Sequence, residues 1–379
     1  MILPLQGIKI LDSAHQFPGP YCTFLLADLG AEVVKVENPR TGDLARQFPP
    51  FFRSINRNKK SLTLNLKSPQ AREILYRLVG MSDVFTEGFR PGVARKLGIE
   101  YETLRKINPR LVYCSISGYG QEGPYRDLPG HDLNYQSLSG MLQCFKDEGG
   151  NFTLPGVAIG DLSSGMFAAL GILAALMARE KTGQGQYVDV SVLDGLLSWM
   201  GPRLSVFWET GRTERERDAG YGIFHGRDGL PFTLGIAHED WFWDRLCSAV
   251  GLEECRGLGT QERRDRRKEL QEKLKPVFFQ RYRDDWLRIF READIPAAPL
   301  RSFAEIDEDP QVKFREMIQR IPSPSGGEIL QVGFPIRLAN LPAEVRTAPP
   351  ELGEHTEAIL VGLGYSRNEV ERWREEGVV

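Results

Sequence analysis

His131, Asp132 and Asp161 are the residues whose type and placement could move protons, and all three fall in one stretch, 130–177. The segment GHDLNYQSLSGML sets His131 and Asp132 ahead of an apolar pattern at Leu133, Ser137, Leu138 and Met141. That spacing predicts a helix with one buried face and both residues in its first turn. In PGVAIGDLSSGMFAALGILAALM, Asp161 follows a glycine and precedes a run of small and apolar residues, the pattern of an N-cap before a buried helix. The partial positive charge of a helix N-terminus favours an ionised Asp161 and a neutral His131. Such a pair can serve as acid and base. The same placement also suits a plain capping aspartate and a structural histidine, and spacing alone leaves open whether the two side chains share a cleft.

The surrounding elements alternate in type. An apolar strand at Ile8 to Leu11, a loop FPGP, a helical YCTFLLADLG and a strand EVVKVE make a βαβ unit. Strands follow at Ser61 to Leu66, Asp83 to Thr86, Leu111 to Ile116 and in YVDVSVLDG, with a helix over Pro69–Val79 and another after EGFRPGVARKLG. This order predicts an α/β fold with a Rossmann-like parallel sheet. No GxGxxG fingerprint opens it, so a dinucleotide reading is weak, and Glu37 is no more than an analogue of a ribose-binding acid. A helical segment Leu196 to Thr210 leads into TERERDAGYG, which reads as a linker or mobile loop. A hairpin, IFHGRDGLPFTLGIA, and helices rich in Trp, Leu and Arg then predict a smaller α+β domain. The expected layout is a large domain over 1–200, a linker over 201–222, a small domain over 223–310 and a C-terminal return to the large domain over 311–379.

Basic residues concentrate between the second and third strands, at Arg40, Arg46, Arg53, Arg57, Lys59 and Lys60. They form either a solvated face or a site for phosphate oxygens. Arg90 stands beside Pro91 and Gly92, where the chain is fixed and open to close approach. Across 379 residues, 26% are charged and the net charge is -3, which gives no bulk attraction to nucleic acid or to an anionic membrane. The five cysteines form no CxxC and no metal-ligand spacing with the five histidines, which suits a reducing cytoplasm and predicts no metal. The apolar run Met166 to Ala178, about 13 residues against the ~20 of a membrane span, reads as a buried core helix. The expected partner is a small molecule or another protein chain.

Several stretches in order resemble the family III CoA-transferase and alpha-methylacyl-CoA racemase superfamily: LADLGAEVVKVENPRTGDLAR, NRNKKSLTLNL, FRPGVARKLG, SGYGQEGPY, GHDLNYQSLSG, GDLSSGMFAALGILAAL and TGQGQYVDVSVLDG. The resemblance is strong from residue 5 to about 200 and looser beyond. It implies an enzyme of acyl-CoA thioesters, without redox cofactor or metal, that forms an interlocked homodimer. Coenzyme A would then meet Arg40, Lys59, Leu66, Arg90 and Gly120. In the transferases the carboxylate at Asp161 attacks the thioester. In the racemases it works with the histidine at His131, one group removing the α-proton and the other returning it on the opposite face. The racemase signature GHDxNY is complete as His131, Asp132, Asn134 and Tyr135. Glu239, three residues before Phe242, matches the small-domain glutamate that pairs with the histidine, although one extra residue separates it from Gly235. The resemblance thus implies a 2-methylacyl-CoA racemase first, a CoA transferase second, and a non-catalytic CoA-binding subunit third.

Overall fold

The computed structural model describes residues 3–147, 149–213, 217–322, 326–339 and 345–379. The chain divides into two compact units, one formed by Met1–Leu204 with Arg315–Val379 and the other by Ser205–Phe314.

The first unit is built on six parallel strands, β1 (Lys9–Asp12), β2 (Glu32–Glu37), β3 (Lys59–Thr63), β4 (Val84–Glu87), β5 (Val112–Ser117) and β6 (Tyr187–Ser191), in the order β3-β2-β1-β4-β5-β6. Its helices are α1 (Pro18–Asp28), α2 (Pro49–Ser54), α3 (Pro69–Val79), α4 (Val93–Leu97), α5 (Tyr101–Ile107), α6 (Asp132–Leu138), α7 (Ile159–Thr182) and α8 (Val192–Thr210), the last containing the division between the units. Neighbouring residues of a strand point to opposite faces, so each strand feeds two cores. Ile10 and Val33 join Cys22 and Leu26 of α1 and Ile172 of α7 in one cluster. On the other face Leu11, Leu62 and Phe85 pack with Ile74 and Leu75 of α3 and Leu104 of α5. Chain returning after the second unit completes this face. Helices α14 (Thr356–Gly362) and α15 (Arg367–Glu375) contribute Leu360, Val370 and Trp373, after a hairpin of β10 (Ile318–Pro322) and β11 (Glu328–Val332).

The strand EVVKVE and the helix over Pro69–Val79 lie where their patterns place them. YVDVSVLDG does not stay extended to its end. Ser191 closes β6 and its hydroxyl accepts from the Asp194 amide, a side-chain cap that starts α8. The predicted inward face of α6 is also corrected. Tyr135 and Gln136 are buried, whereas Leu133 and Leu138 are 43% and 51% exposed. A short helix of seven residues is held here by Tyr135 and Gln136, which an apolar-period reading misses. The Asp161 helix is longer than its apolar run, 24 residues, with Ala168, Ile172 and Ala175 buried and Met166, Leu170 and Met177 on an exposed face. It is long and apolar enough to cross a membrane by length and composition, and half of its apolar stretch is buried.

The second unit carries an antiparallel sheet of β7 (Tyr221–His225), β8 (Pro231–Gly235) and β9 (Ala297–Pro299). Helices α9 (Asp240–Val250), α10 (Thr260–Asp265), α11 (Arg267–Phe278), α12 (Arg283–Glu292) and α13 (Pro310–Phe314) complete it. Its core is aromatic, with Phe232, Trp243, Phe278 and Phe290 fully buried. Where a linker was expected over 201–222, α8 continues through Thr210 and β7 begins at Tyr221; residues 214–216 of that stretch lie outside the described residues.

Candidate active site

Strand order reverses between β1 and β4, because β2 and β3 are laid to one side and β5 and β6 to the other. In an open parallel sheet the loops beyond the carboxyl ends diverge at such a point and leave a crevice. A cleft of about 240 Å³ occupies it. Its walls are His15 to Pro18 after β1, Gly88 to Pro91 after β4, Ser117 to Tyr119 at the end of β5, then Arg126, Leu128, His131, Tyr135 and Asp161.

The structure therefore brings His131 and Asp161 to the same cleft. Asp161 is the third residue of α7 and not its N-cap, which is Ala158 without a side-chain bond. The capping is done from another helix. Asp132 Oδ1 accepts from the amides of Gly160 at 2.7 Å and Asp161 at 3.1 Å, while Oδ2 accepts from Gln136 Nε2. The expectation of a firmly ionised Asp161 is corrected as well. Burial, and then the charge of Asp132, push its carboxyl up to about 7, outweighing the helix N-terminus. His131 is the exposed N-cap residue of α6; its amide donates to Asn134 Oδ1 at 3.0 Å and its carbonyl accepts from the Asn134 amide at 2.8 Å. Tyr135 is buried behind the pair, its hydroxyl donating to the Gly130 carbonyl at 2.7 Å and its ring meeting Tyr119 edge-on at 5.1 Å. Burial pushes this phenol up to about 12, so it stays a hydrogen-bond donor. A Cβ at Gly118 or Gly130 would fall 2.3 and 2.7 Å from Tyr135 atoms, so both glycines are required for the ring to fit.

The basic loop behaves differently from a phosphate cradle. Arg46 forks onto Glu37 at 2.7 and 2.8 Å, and Ser61 also donates to Glu37, so this acid is an internal ion-pair partner and not a ribose ligand. Arg57 is held by Asp28 at 3.1 and 2.6 Å. Lys59 is turned inward and fully buried, donating to Asp12, the Pro20 carbonyl and Asn56 at 3.2, 2.8 and 2.8 Å. Burial lowers its ammonium to about 8 despite the attraction of Asp12. Of the five residues expected at coenzyme A, Arg90 lines the cleft; Arg40, Lys59, Leu66 and Gly120 are not part of its wall. Arg40 is exposed after β2, Leu66 packs on the core beneath α3, and Gly120 takes φ +85° in the glycine-rich loop. Glu239 lies in the second unit at the N-cap of α9, where its Oε2 accepts from the amides of Ala237 and His238 at 3.1 and 3.0 Å. These bonds pull its carboxyl below the usual range. His15, Gln16 and Arg126 line the cleft without having been singled out from the sequence; their only signal is that each lies in a loop beyond a strand's carboxyl end. Among the described residues no group of three or more His, Cys, Asp or Glu side chains could hold a metal ion.

The CoA-transferase family III profile matches residues 5–356. The chain belongs to this family. As a family III chain it is 33% identical to succinyl-CoA:glutarate CoA-transferase of Mus musculus, over 99% of its own length and 90% of the mouse enzyme. It is also 34% identical to alpha-methylacyl-CoA racemase of Homo sapiens, over 100% and 98% of the two chains. A solved structure, that of a CAIB/BAIF family protein from Brucella suis, superposes with a TM-score of 0.86 at 31% identity, covering 96% of this chain and 100% of that one. The protein is thus an enzyme of a family whose members include CoA transferases and a racemase, and acyl-CoA is the substrate class consistent with it.

Proposed function

We propose that this enzyme is a racemase or epimerase of 2-methylacyl-CoA thioesters, exchanging the α-proton between His131 and Asp161. The observation that carries this reading is the presence of both side chains in one cleft, with the Asp161 carboxyl held at about 7. A group that titrates near neutrality is available both as base and as acid, which a two-direction proton transfer requires. In one direction Asp161 removes the proton from Cα while protonated His131 delivers one to the opposite face; in the other the roles exchange. Proton transfer of this kind supplies about 10²–10⁴-fold, so the enolate oxygen also needs fixed donors. Asp132 occupies the first amides of α7, which leaves the backbone amides at the start of α6 to serve.

A CoA transferase is the second reading, supported by the likeness to the mouse enzyme. Asp161 Oδ would attack the thioester carbonyl and expel the CoA thiolate, giving a mixed anhydride; the thiolate would then attack the aspartyl carbonyl and release the acid. For either chemistry we propose an interlocked homodimer, with Glu239 of a second copy beside His131. The exposed apolar residues Leu138, Leu170, Met177 and Trp208 support an interface.

The test is solvent exchange. The protein is incubated with a 2-methylacyl-CoA in D₂O without an acceptor acid, and the thioester is weighed by mass spectrometry. A gain of one deuteron at Cα that disappears in His131→Ala supports the racemase. No gain on a substrate that binds overturns it, and hydroxylamine trapping of an Asp161 acyl adduct would then identify the transferase.

A further inference from the structure

Glu87 ends β4 immediately before the Gly88–Pro91 wall of the cleft, and it is 3% exposed. Its Oε2 accepts from the Phe89 amide at 2.7 Å, which pins the turn that delivers Arg90. Its Oε1 accepts from Ser115 Oγ at 2.5 Å, and Ser115 in turn accepts from Gln121 Nε2 at 2.7 Å. Gln121 lies in the glycine-rich loop after β5, and its amide donates to Asp189 of β6 at 3.0 Å. One carboxylate thus ties together the loop carrying Arg90 and the loop carrying Tyr119, both of which wall the cleft, while lining none of it.

We propose that Glu87 is a positioning residue, whose carboxylate holds these two loops in the arrangement that binds the coenzyme A part of the substrate. It acts through Phe89, Ser115 and Gln121 and touches no reacting atom. With Glu87 ionised, Ser115 donates to it and is free to accept from Gln121. Once Glu87 is protonated its new proton must go to a hydroxyl, that of Ser115 or of Tyr113, because the Phe89 amide cannot accept. The negative charge that strengthens the bonds from the Phe89 amide and the Ser115 hydroxyl is then lost, and both loops are held less firmly. Burial pushes this carboxyl up to about 7, so the weakening falls near neutral pH. The titratable groups that interact with it are Tyr113 and Cys114 on β5 and Tyr187 and Asp189 on β6. Burial raises all four, which keeps the tyrosines and the cysteine neutral in this range and leaves Asp189 as the neighbour able to add charge.

The inference rests on acyl-CoA use by the family and is independent of whether the enzyme is a racemase or a transferase. Binding of free coenzyme A to the full chain is measured by calorimetry between pH 6 and 8.5 for the wild type, Glu87→Gln and Gln121→Ala, with circular dichroism as the control for folding. At pH 8 Glu87→Gln and Gln121→Ala are each expected to weaken Kd by about five-fold, the effect of one lost buried hydrogen bond. As pH falls through about 7 the wild type is expected to weaken toward the Glu87→Gln value, closing the gap between them. Titration of the ligand is common to all three proteins and cancels in the comparison. A constant ratio of wild type to Glu87→Gln across the pH range overturns the proposal, as does a normal Kd in a folded Gln121→Ala.

Discussion

Replacing Asp132 by Asn tests the electrostatics of the cleft with little change of shape. The amide oxygen can still accept from Gly160 and Asp161, so α7 keeps its cap, while the negative charge beside Asp161 is removed. Asp161 is raised from its ordinary 3.8 to about 7, with burial the larger cause and Asp132 the smaller. Asp132 is the smaller cause, so removing its charge moves the carboxyl only part of the way back toward its ordinary value. Deuterium exchange at Cα, followed as initial rate against pH from 5 to 9, reads this directly if ionised Asp161 is the base. The acid limb is expected near pH 7 in the wild type and about one unit lower in Asp132→Asn, with the plateau reduced by no more than about ten-fold. An unmoved or raised midpoint would refute the reasoning, because it would mean that Asp161 does not feel Asp132 or is not the titrating base.

Asp161→Asn is expected to lose exchange activity and to gain stability at alkaline pH. A carboxyl raised from 3.8 to about 7 binds its proton more tightly when folded, so its contribution declines as pH rises between those values. The variant should unfold on the order of 2 kcal/mol later than wild type at pH 8 and nearly level with it at pH 4, read from denaturant midpoints. Lys59→Met should cost about 1–3 kcal/mol of stability, because the Pro20 carbonyl and Asn56 lose their donor while Lys35 still attracts Asp12, yet leave the Kd for coenzyme A unchanged in the folded protein. A normal midpoint with a weakened Kd would return Lys59 to the role of phosphate ligand.

The sheet was legible because strand and helix periods differ and each parallel strand sits between helices, so EVVKVE and Pro69–Val79 declared themselves. The pairing of His131 with Asp161 in space was carried by a resemblance, since nothing in their spacing fixes how α6 meets α7. What decided the state of Asp161 was burial, aided by Asp132, adjacent to His131 in sequence but bonded across 29 positions to the Asp161 amide. A helix terminus read alone predicts an ionised acid; burial and a like charge reverse it. The basic loop misled for a related reason. Composition counts Arg46, Arg57 and Lys59 as free cations, whereas their partners Glu37, Asp28 and Asp12 come from separate strands and helices.

The covering of the sheet by α14 and α15 has a consequence for the order of events during synthesis. Asn65, just beyond β3, donates to the Gly377 carbonyl across 312 positions, and its own amide donates to Val378. Val378 and Val379 are 7% and 6% exposed against a core whose strand residues, Leu62 and Phe85 among them, emerge from the ribosome far earlier. The second unit, contiguous in sequence, can close while this face of the first still waits, its Leu62 and Phe85 without their last neighbours. Until then the nascent chain presents a greasy strand surface to other chains, and the enzyme reaches its finished form through a late, long-range seal.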